Sequence, residues 1–350
     1  MPLHRRRQWR RLRRDRTSPL KNRAFTLLKV AVSLGLIAYL FMRMDLSQLG
    51  ETLRRANYVY LLPAGVLYVA AMTNAAFKWY VLLRAQGIRV PFRAILGYTY
   101  IGFFFNNFLP ANVGGDVMRG YGLARYTERT AEAAISVIVD RIVGLVAFMV
   151  SAVGSAAVAI LVLQRSELEG VEAAAVVSLI VVAGGFGIIL SRRVRVLLAN
   201  VFRWKPLQPL SPLYGRASGA IGAYRYRYGA LAAAFGLSLL TLVLTNFTDY
   251  LLAQSLGGGM PLIYIFVFNP IIAFVLLVPI SIGGLGVTQA IYPFFYGLVH
   301  VPANLAFAVA LLKQLVIYAT SLPGGVLWWR GRAGAGSAAL EAAGDAPSPV

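Results

Sequence analysis

The stretch Phe108-Leu109-Pro110-Ala111-Asn112-Val113-Gly114-Gly115-Asp116-Val117-Met118-Arg119 closes an apolar run and opens a polar, basic segment. A later stretch, Val278-Pro279-Ile280-Ser281-Ile282-Gly283-Gly284-Leu285-Gly286, repeats the order of a proline, a polar residue and a glycine pair at identical spacing. Proline breaks a helix, and a glycine pair lets the chain turn. Within hydrocarbon such a break is tolerated only where it lines a polar cavity or is buried in protein. The motifs therefore predict two interrupted membrane segments, the plainer alternative being two turns that connect helices at the membrane surface.

The composition places the chain among polytopic membrane proteins. Of its 350 residues 58% are hydrophobic and 13% are charged, and the mean hydropathy is +0.67. Cysteine is absent and the only histidines are His4 and His300, so we expect no disulfide, no metal site and no cofactor. The net charge of +21 lies in the tail and in the loops between apolar runs. This pattern favours anionic lipid headgroups over nucleic acid as the partner.

Three regions follow from the charge and hydropathy along the chain. Residues 1–23 are dense in arginine and are predicted to form a disordered cytoplasmic arm on anionic lipid, a nucleic-acid arm being the weaker alternative. Residues 24–330 form the membrane domain. The remainder, 331–350, is rich in Ala, Gly, Ser and Pro and is predicted to be disordered. Basic residues at both ends of the membrane domain place both termini in the cytoplasm.

The membrane domain reads as all-α, with six to eight transmembrane helices plus re-entrant segments. The predicted spans cover 24–42, 58–83, 131–163, 173–190, 230–252 and 303–329, with 261–279 and 286–300 as further crossings if they are not re-entrant. The basic loops around residues 84–93, 119–129 and 192–227 all face the cytoplasm only if the run 91–109 enters and leaves on the same side. That run is therefore predicted to be re-entrant.

The two motifs divide the membrane domain into two similar units. Each unit, about 24–163 and 173–329, reads as two spans, a re-entrant run with its motif, and a last span. An odd number of crossings inverts the second unit relative to the first. Inverted repeats with broken segments are typical of transporters.

The motifs also carry the candidate substrate-binding residues. Free N–H groups at a helix start bind anions, and Arg119 with Asn112 would add a charge and a polar contact to a phosphate. The pair Asp140-Arg141 is either a local pair at the membrane edge or a part of the same site. Lys78 is expected to snorkel to the interface. Asp249 is a candidate buried carboxylate with Lys313 as its partner, in a structural or a transport role. The full candidate set is Asn112, Gly114, Gly115, Asp116, Arg119, Asp140, Arg141, Ser281, Gly283, Gly284, Gly286 and Gln289.

At these residues the chain resembles the lysylphosphatidylglycerol synthase transmembrane family, whose members are flippase-like membrane proteins. The matching segments are 109–116 with Arg119, then Val139-Asp140-Arg141, then 279–287, within a resemblance that covers about 25 to 330. In bifunctional members the membrane part looks like a flippase for the aminoacylated phospholipid that a soluble domain makes. Relatives are linked to other lipids, including hopanoids and lipid-linked glycans.

Two departures from the family pattern are visible. The chain ends soon after its last span, so we expect no soluble aminoacyltransferase domain. Where the family commonly continues the second glycine motif with Arg-Glu, this chain has Thr288-Gln289. The missing carboxylate puts in doubt a role for this position in proton coupling or in binding a cationic headgroup, although Gln289 can still form hydrogen bonds.

The residues and the resemblance together predict a lipid translocase of the cytoplasmic membrane and not an enzyme. Its substrate would be a phospholipid or another phosphate-bearing lipid, including a polyprenyl- or glycolipid. One alternative is a membrane transferase for a lipid phosphate, which would need a carboxylate base or a metal site. The other is a non-catalytic partner in a lipid-synthesis complex. An enzyme of lipid synthesis is a possible partner under each hypothesis.

Overall fold

A computed structural model describes residues 56–108, 114–163, 211–276 and 284–344, with isolated positions at 54, 176, 177, 180, 184 and 191. Within these ranges the chain forms helices and turns and no strand, which confirms the all-α prediction. The arm 1–23, the first predicted span and most of 173–190 lie outside the described residues. The helices, after a 3-10 turn at Tyr58–Tyr60, are α1 Leu61–Ala85, α2 Phe92–Phe108, α3 Gly114–Thr127, α4 Thr130–Leu163, α5 Ser211–Gly222, α6 Tyr228–Ser255, α7 Leu262–Val275, α8 Val287–Gly297 and α9 Ala303–Gly344.

Four of the helical segments are long and apolar enough to cross a membrane. They are Tyr58–Ala85, Thr130–Ser155, Tyr228–Ser255 and Ala303–Arg330. Each coincides with one of the spans predicted from the sequence. The last helix continues to Gly344, beyond residue 331, where the predicted tail begins. The Ala-rich run Ala338–Ala343 favours helix, which explains the continuation.

The first motif separates two helices that form a hairpin. Gly102 of α2 lies against Gly115 of α3, and Tyr98 lies against Gly122, so the two helices are antiparallel. They have 17 and 14 residues, or about 25 and 21 Å. Both are shorter than the ~30 Å hydrocarbon core. The hairpin therefore enters and leaves on one side, as the charge distribution predicted, but the run 91–109 forms only its first helix and α3 makes the return.

The second hairpin follows the same plan. Helices α7 and α8 have 14 and 11 residues, which is too short for either to cross alone. Phe268 of α7 packs on Phe295 and Tyr296 of α8. Helices α7 and α8 therefore form a second re-entrant hairpin and not two additional crossings.

The two units are inverted relative to each other. Asn57, just before α1, donates its N–H to Ser255 at the end of α6 (2.6 Å), and Asn74 in the middle of α1 donates to Leu237 (2.7 Å). Gln86, just after α1, donates to Ala220 before α6 begins (3.5 Å). These contacts make α1 and α6 antiparallel. Each hairpin also packs on the last spanning helix of the other unit, α2 on α9 and α7 on α4.

Small residues allow each hairpin to pack closely on the last spanning helix of the other unit. A Cβ at Gly324 of α9 would collide with the backbone carbonyl of Tyr100 in α2. In the other unit Ser155 of α4 donates its hydroxyl to the carbonyl of Phe266 in α7 (3.2 Å). Small residues let helix backbones approach within a membrane domain.

The two ends of the helix bundle differ in charge. The basic end, where α1 ends and α4 and α6 begin, includes two glutamates, Glu128 and Glu132, and a larger number of arginines, among them Arg84, Arg89, Arg93, Arg125, Arg129, Arg225 and Arg227. The neutral end, where α6 ends and α9 begins, has no Asp, Glu, Lys or Arg anywhere between Tyr250 and Leu312 in the sequence. Because the two ends differ in charge, the positive-inside rule can indicate which end faces the cytoplasm.

Candidate functional site

A buried ionic cluster joins the first hairpin to α4. Arg119 of α3 is only 8% exposed. Its guanidinium lies 2.8 Å from Asp140 Oδ2 and 3.0 Å from Asp116 Oδ1. Its Cζ also lies 5.0 Å from the centre of the Trp79 ring, which is a cation–π contact. A guanidinium does not lose its proton in proteins, so the two carboxylates compensate a permanent buried charge.

Lys78 of α1 belongs to the same cluster. Its Nζ lies 3.1 Å from Asp140 Oδ1 and donates to the Asp140 carbonyl (3.3 Å), and the residue is 9% exposed. The expectation that Lys78 snorkels to the interface is therefore wrong. Helix α1 continues to Ala85, so Lys78 lies almost two turns inside the helix end and finds a carboxylate there.

Arg141 completes the cluster at its accessible edge. Its Nε pairs with Asp116 Oδ2, and its side chain is 48% exposed. Asp140 and Arg141 do not form the local pair that was one alternative from the sequence. Asp140 points instead to Lys78 and Arg119, and Arg141 reaches back to the start of α3. Asp116 and Asp140 thus hold the two arginines in place.

The cluster lines a cavity of about 350 Å³ among α1, α2, α3, α4 and α6. Lys78, Arg119 and Arg141 supply three positive charges, and Asp116 and Asp140 supply two negative ones, so the lining carries one excess positive charge. Uncharged polar groups complete the wall: Thr99, Asn106, Asn107, Ser238 and Thr241. A cavity of this charge and polarity suits an anionic group that must leave water.

The glycines of the first motif act mainly through packing. A Cβ at Gly115 would collide with the Gly102 carbonyl. The Gly115 N–H donates to Asn106 Oδ1 (2.9 Å), so this donor is already engaged and the predicted phosphate contact from it is wrong. Unpaired N–H groups at a helix start need such a cap. Gly114 begins α3, and Asn112 lies outside the described residues.

The described residues of the second motif, from Gly284 onward, do not line this cavity. Gln289 Oε1 accepts the Gly286 N–H (2.7 Å), and Gln289 is 2% exposed. Both Gly284 and Gly286 have positive φ angles, 76° and 82°, which glycine adopts at little cost. The Gln289 amide thus caps α8 and engages the Gly286 N–H. Ser281 and Gly283 lie outside the described residues.

A second buried ion pair lies in the second unit. Asp249 of α6 is fully buried, and its Oδ2 lies 2.7 Å from Lys313 Nζ of α9. The same oxygen accepts from Tyr292 (2.8 Å) and Asn269 (2.7 Å). The pairing of Asp249 with Lys313 that the sequence predicted is confirmed. The arrangement is packed with aromatic side chains, whereas the cluster at Arg119 borders open space.

Comparison with known proteins assigns the family. The profile of the lysylphosphatidylglycerol synthase TM region matches residues 26–324. The chain belongs to this family. A UPF0104 membrane protein of Methanothermobacter thermautotrophicus is 23% identical over 308 residues, covering 83% of this chain and 90% of that protein. A second UPF0104 membrane protein, from Pyrococcus horikoshii, is 22% identical over 331 residues, covering 87% of this chain and 97% of that protein. No solved structure matches the chain.

Several residues of the cavity in this family member were missed from its sequence. Lys78 carries a detectable signal, because it is the only Asp, Glu, Lys or Arg between Tyr58 and Leu83. A charge inside a spanning helix indicates function by default. The small polar residues Thr99, Ser238 and Thr241 carry no such signal, since each also bonds to a carbonyl of its own helix. Their position at the cavity depends on how helices pack, which spacing alone does not give.

Proposed function

We propose that this protein moves a phosphate-bearing lipid between the leaflets of the cytoplasmic membrane. The observation that carries the proposal is the cavity beside Arg119, where three cations face two carboxylates within the membrane domain. Charge held inside a membrane is costly and is retained where it serves a substrate pathway. The excess positive charge selects a headgroup with a negative phosphate.

To bind a headgroup, the site must exchange an ion pair within the protein for an ion pair with the phosphate. A phosphate that enters the cavity competes with Asp116 for Arg141, whose side chain is half exposed. Arginine binds phosphate oxygens through two parallel hydrogen bonds. Arg119 stays fixed by Asp140 and adds its charge, and Asn106 and Asn107 can satisfy other headgroup atoms. No covalent bond is formed or broken.

The inverted units supply the route for alternating access. In transporters of this construction one unit rocks against the other around a central site. The positive-inside rule assigns the basic end to the cytoplasm, where the N-terminal arginines would lie on anionic lipid and where an enzyme of lipid synthesis could deliver the substrate. Asp116, Asp140 and Asp249 are all held in ion pairs, so we assign the protein to binding and movement rather than to a reaction.

Lipid translocation in proteoliposomes tests the proposal. Headgroup-labelled phosphatidylglycerol in the inner leaflet is followed by its loss of protection from an impermeant quencher. Wild type should lose protection quickly, and Arg119→Gln and Arg141→Gln should be slower by about tenfold or more, as the loss of a charge-assisted bond implies. Arg125→Gln is the matched control, because Arg125 is an exposed arginine on the same helix α3.

Two results would count against a translocase. Wild type that is no faster than protein-free liposomes with phosphatidylglycerol, phosphatidylethanolamine and a polyprenyl phosphate would contradict movement of such lipids. A chemically altered lipid, detected by chromatography after incubation, would favour the transferase alternative. Equal rates for wild type and both cavity variants would show that movement does not use the Arg119 cavity.

A further inference from the structure

A second cavity continues the charged one along α4. It has a volume of about 430 Å³ and lies among α4, α6 and α7. Its wall is largely apolar, and four of its residues are exposed at the surface of the bundle: Gly154, Val158, Val243 and Ile263. We call this second cavity the α4–α6 groove.

One face of α4 lines both cavities. Asp140, Gly144 and Phe148 border the charged cavity, and Ser151, Ser155 and Val158 border the groove. Successive members of this series are three or four residues apart, which places them on a single face of a helix. The charged cavity and the groove are therefore consecutive parts of one path.

Helix α6 contributes to the wall of both cavities. Ser238 and Thr241 border the charged cavity, and Leu239, Leu242, Val243 and Asn246 border the groove. Both α4 and α6 begin at the basic end, so on α4 the groove lies wholly beyond the charged cavity, and on α6 it begins beside that cavity and extends further toward the neutral end. A polar compartment thus opens into an apolar one in a fixed direction.

Two polar side chains of the groove, Ser155 and Asn246, have hydrogen-bond partners within the protein. The Ser155 hydroxyl donates to the Phe266 carbonyl (3.2 Å), and Asn246 Oδ1 accepts from Asn269 (3.0 Å). An apolar occupant therefore leaves these two groups with their partners, which removes the usual cost of covering polar atoms. The exposed rim opens to the hydrocarbon of the bilayer.

We infer that the α4–α6 groove holds one hydrocarbon chain of the lipid whose headgroup enters the Arg119 cavity, an inference that rests on the proposed function. The stretch from Gly144 to Val158 rises about 21 Å at 1.5 Å per residue. A chain that fills one leaflet extends about half of the ~30 Å core, or roughly 15 Å. The path is thus long enough for a lipid with its headgroup between Arg119 and Arg141.

The order of the two compartments also fixes which leaflet supplies the lipid. A headgroup toward the basic end with a chain that points toward the neutral end has the orientation of a lipid in the leaflet at the basic end. This conformation therefore loads lipid from that leaflet, which the positive-inside rule identifies as the cytoplasmic one.

Photo-crosslinking locates the chain directly. The full-length protein is placed in nanodiscs with phosphatidylglycerol that carries a diazirine on one acyl chain, and labelled peptides are identified after irradiation. In wild type the label should fall on the groove walls of α4, α6 and α7. Gly154→Phe should lower this labelling about tenfold, since burial of two methylene groups is worth about that factor. No atom lies within 4 Å of a Cβ at Gly154, so the variant should fold.

Two further variants separate a bound lipid from bulk lipid. Val150→Phe is the matched control, because Val150 is exposed on α4 and does not border the groove, and it should label as wild type does. Arg141→Gln should lower labelling of the groove, because the headgroup and the chain belong to one molecule. Labelling of the groove that is unchanged in both Gly154→Phe and Arg141→Gln would overturn the inference.

A separate labelling experiment in membrane vesicles tests which leaflet supplies the lipid. The probe is added to the accessible leaflet of inside-out or right-side-out membrane vesicles, which are irradiated at once. Inside-out vesicles should give the stronger label, and the reverse would overturn the assignment. Translocation is measured separately, so groove labelling that depends on Arg141 without any lipid movement would refute the proposed function and leave the binding path in place.

Discussion

Lys78 of α1 and Asp249 of α6 lie on the two helices that the inverted repeat relates, and they carry opposite charges. Lys78 pairs with Asp140 of α4 at 3.1 Å, and Asp249 pairs with Lys313 of α9 at 2.7 Å. Each unit therefore joins its first and last described spanning helices with a buried ion pair, but the polarity of the pair is reversed. The two ion pairs also differ in their surroundings, since only the Lys78–Asp140 pair includes Arg119 and lines the charged cavity.

Removing Asp249 should destabilise the protein more than removing Lys78. In Asp249→Asn the Lys313 ammonium loses its carboxylate, and breaking a buried pair costs about 3 kcal/mol or more. In Lys78→Met the Asp140 carboxylate keeps Arg119 at 2.8 Å, so the loss should be smaller. Thermal unfolding in detergent measures both. The double variant Asp249→Asn with Lys313→Met should recover part of the loss, and equal losses for the two single variants would contradict this account.

Gly115, in the first turn of α3, should tolerate no side chain. Gly115→Ala places a methyl group against the Gly102 carbonyl, and overpacking of this kind costs about 1–3 kcal/mol. Gly120→Ala is the control on the same helix, because its nearest neighbour, Val137 Cγ2, lies at an ordinary 3.5 Å. Melting temperatures in detergent should fall for Gly115→Ala only. A comparable fall for Gly120→Ala would point to a general intolerance of α3 rather than to this contact.

The sequence predicted the architecture better than it predicted the contacts. Hydropathy and the charge of the loops were enough for the four described spans and for the re-entrant hairpin at Gly115. They were insufficient for Lys78, because the direction of a lysine near a helix end depends on where the helix stops and on which carboxylate faces it. The pairing of α1 with α6 depends on contacts between distant residues, such as Asn74 with Leu237.

The motif glycines show the same limit. Their spacing correctly predicted a break in each hairpin, but it does not reveal which acceptor takes the freed N–H groups. Asn106, nine residues before Gly115, supplies one acceptor, and Gln289, three residues after Gly286, supplies the other. Both acceptors are side-chain amides within hydrogen-bond reach, so the N–H groups of Gly115 and Gly286 are already engaged.

The residue that caps α8 at position 289 should need a hydrogen-bond acceptor but not the amide nitrogen of glutamine. In Gln289→Ala the Gly286 N–H loses its partner, and loss of a helix cap costs about 1 kcal/mol. In Gln289→Glu a carboxylate oxygen can accept the same bond, and a negative charge is favourable at the start of α8. Thermal unfolding should therefore rank Gln289→Glu close to wild type and Gln289→Ala below it. The opposite ranking would show that the buried amide nitrogen matters more than the acceptor.

The inversion and the sidedness of the bundle should be visible from single thiols, since the chain has no cysteine of its own. Thr130→Cys and Tyr226→Cys place exposed thiols at the basic end, and Tyr58→Cys and Ala303→Cys place them at the neutral end. In intact cells an impermeant maleimide should modify the second pair only, because the basic end faces the cytoplasm. Permeabilised cells are the control, and all four thiols should react there. Modification of Tyr58→Cys together with Tyr226→Cys in intact cells would contradict the antiparallel pairing of α1 and α6, whereas a clean exchange of the two pairs would reverse the orientation and, with it, the leaflet from which lipid is loaded.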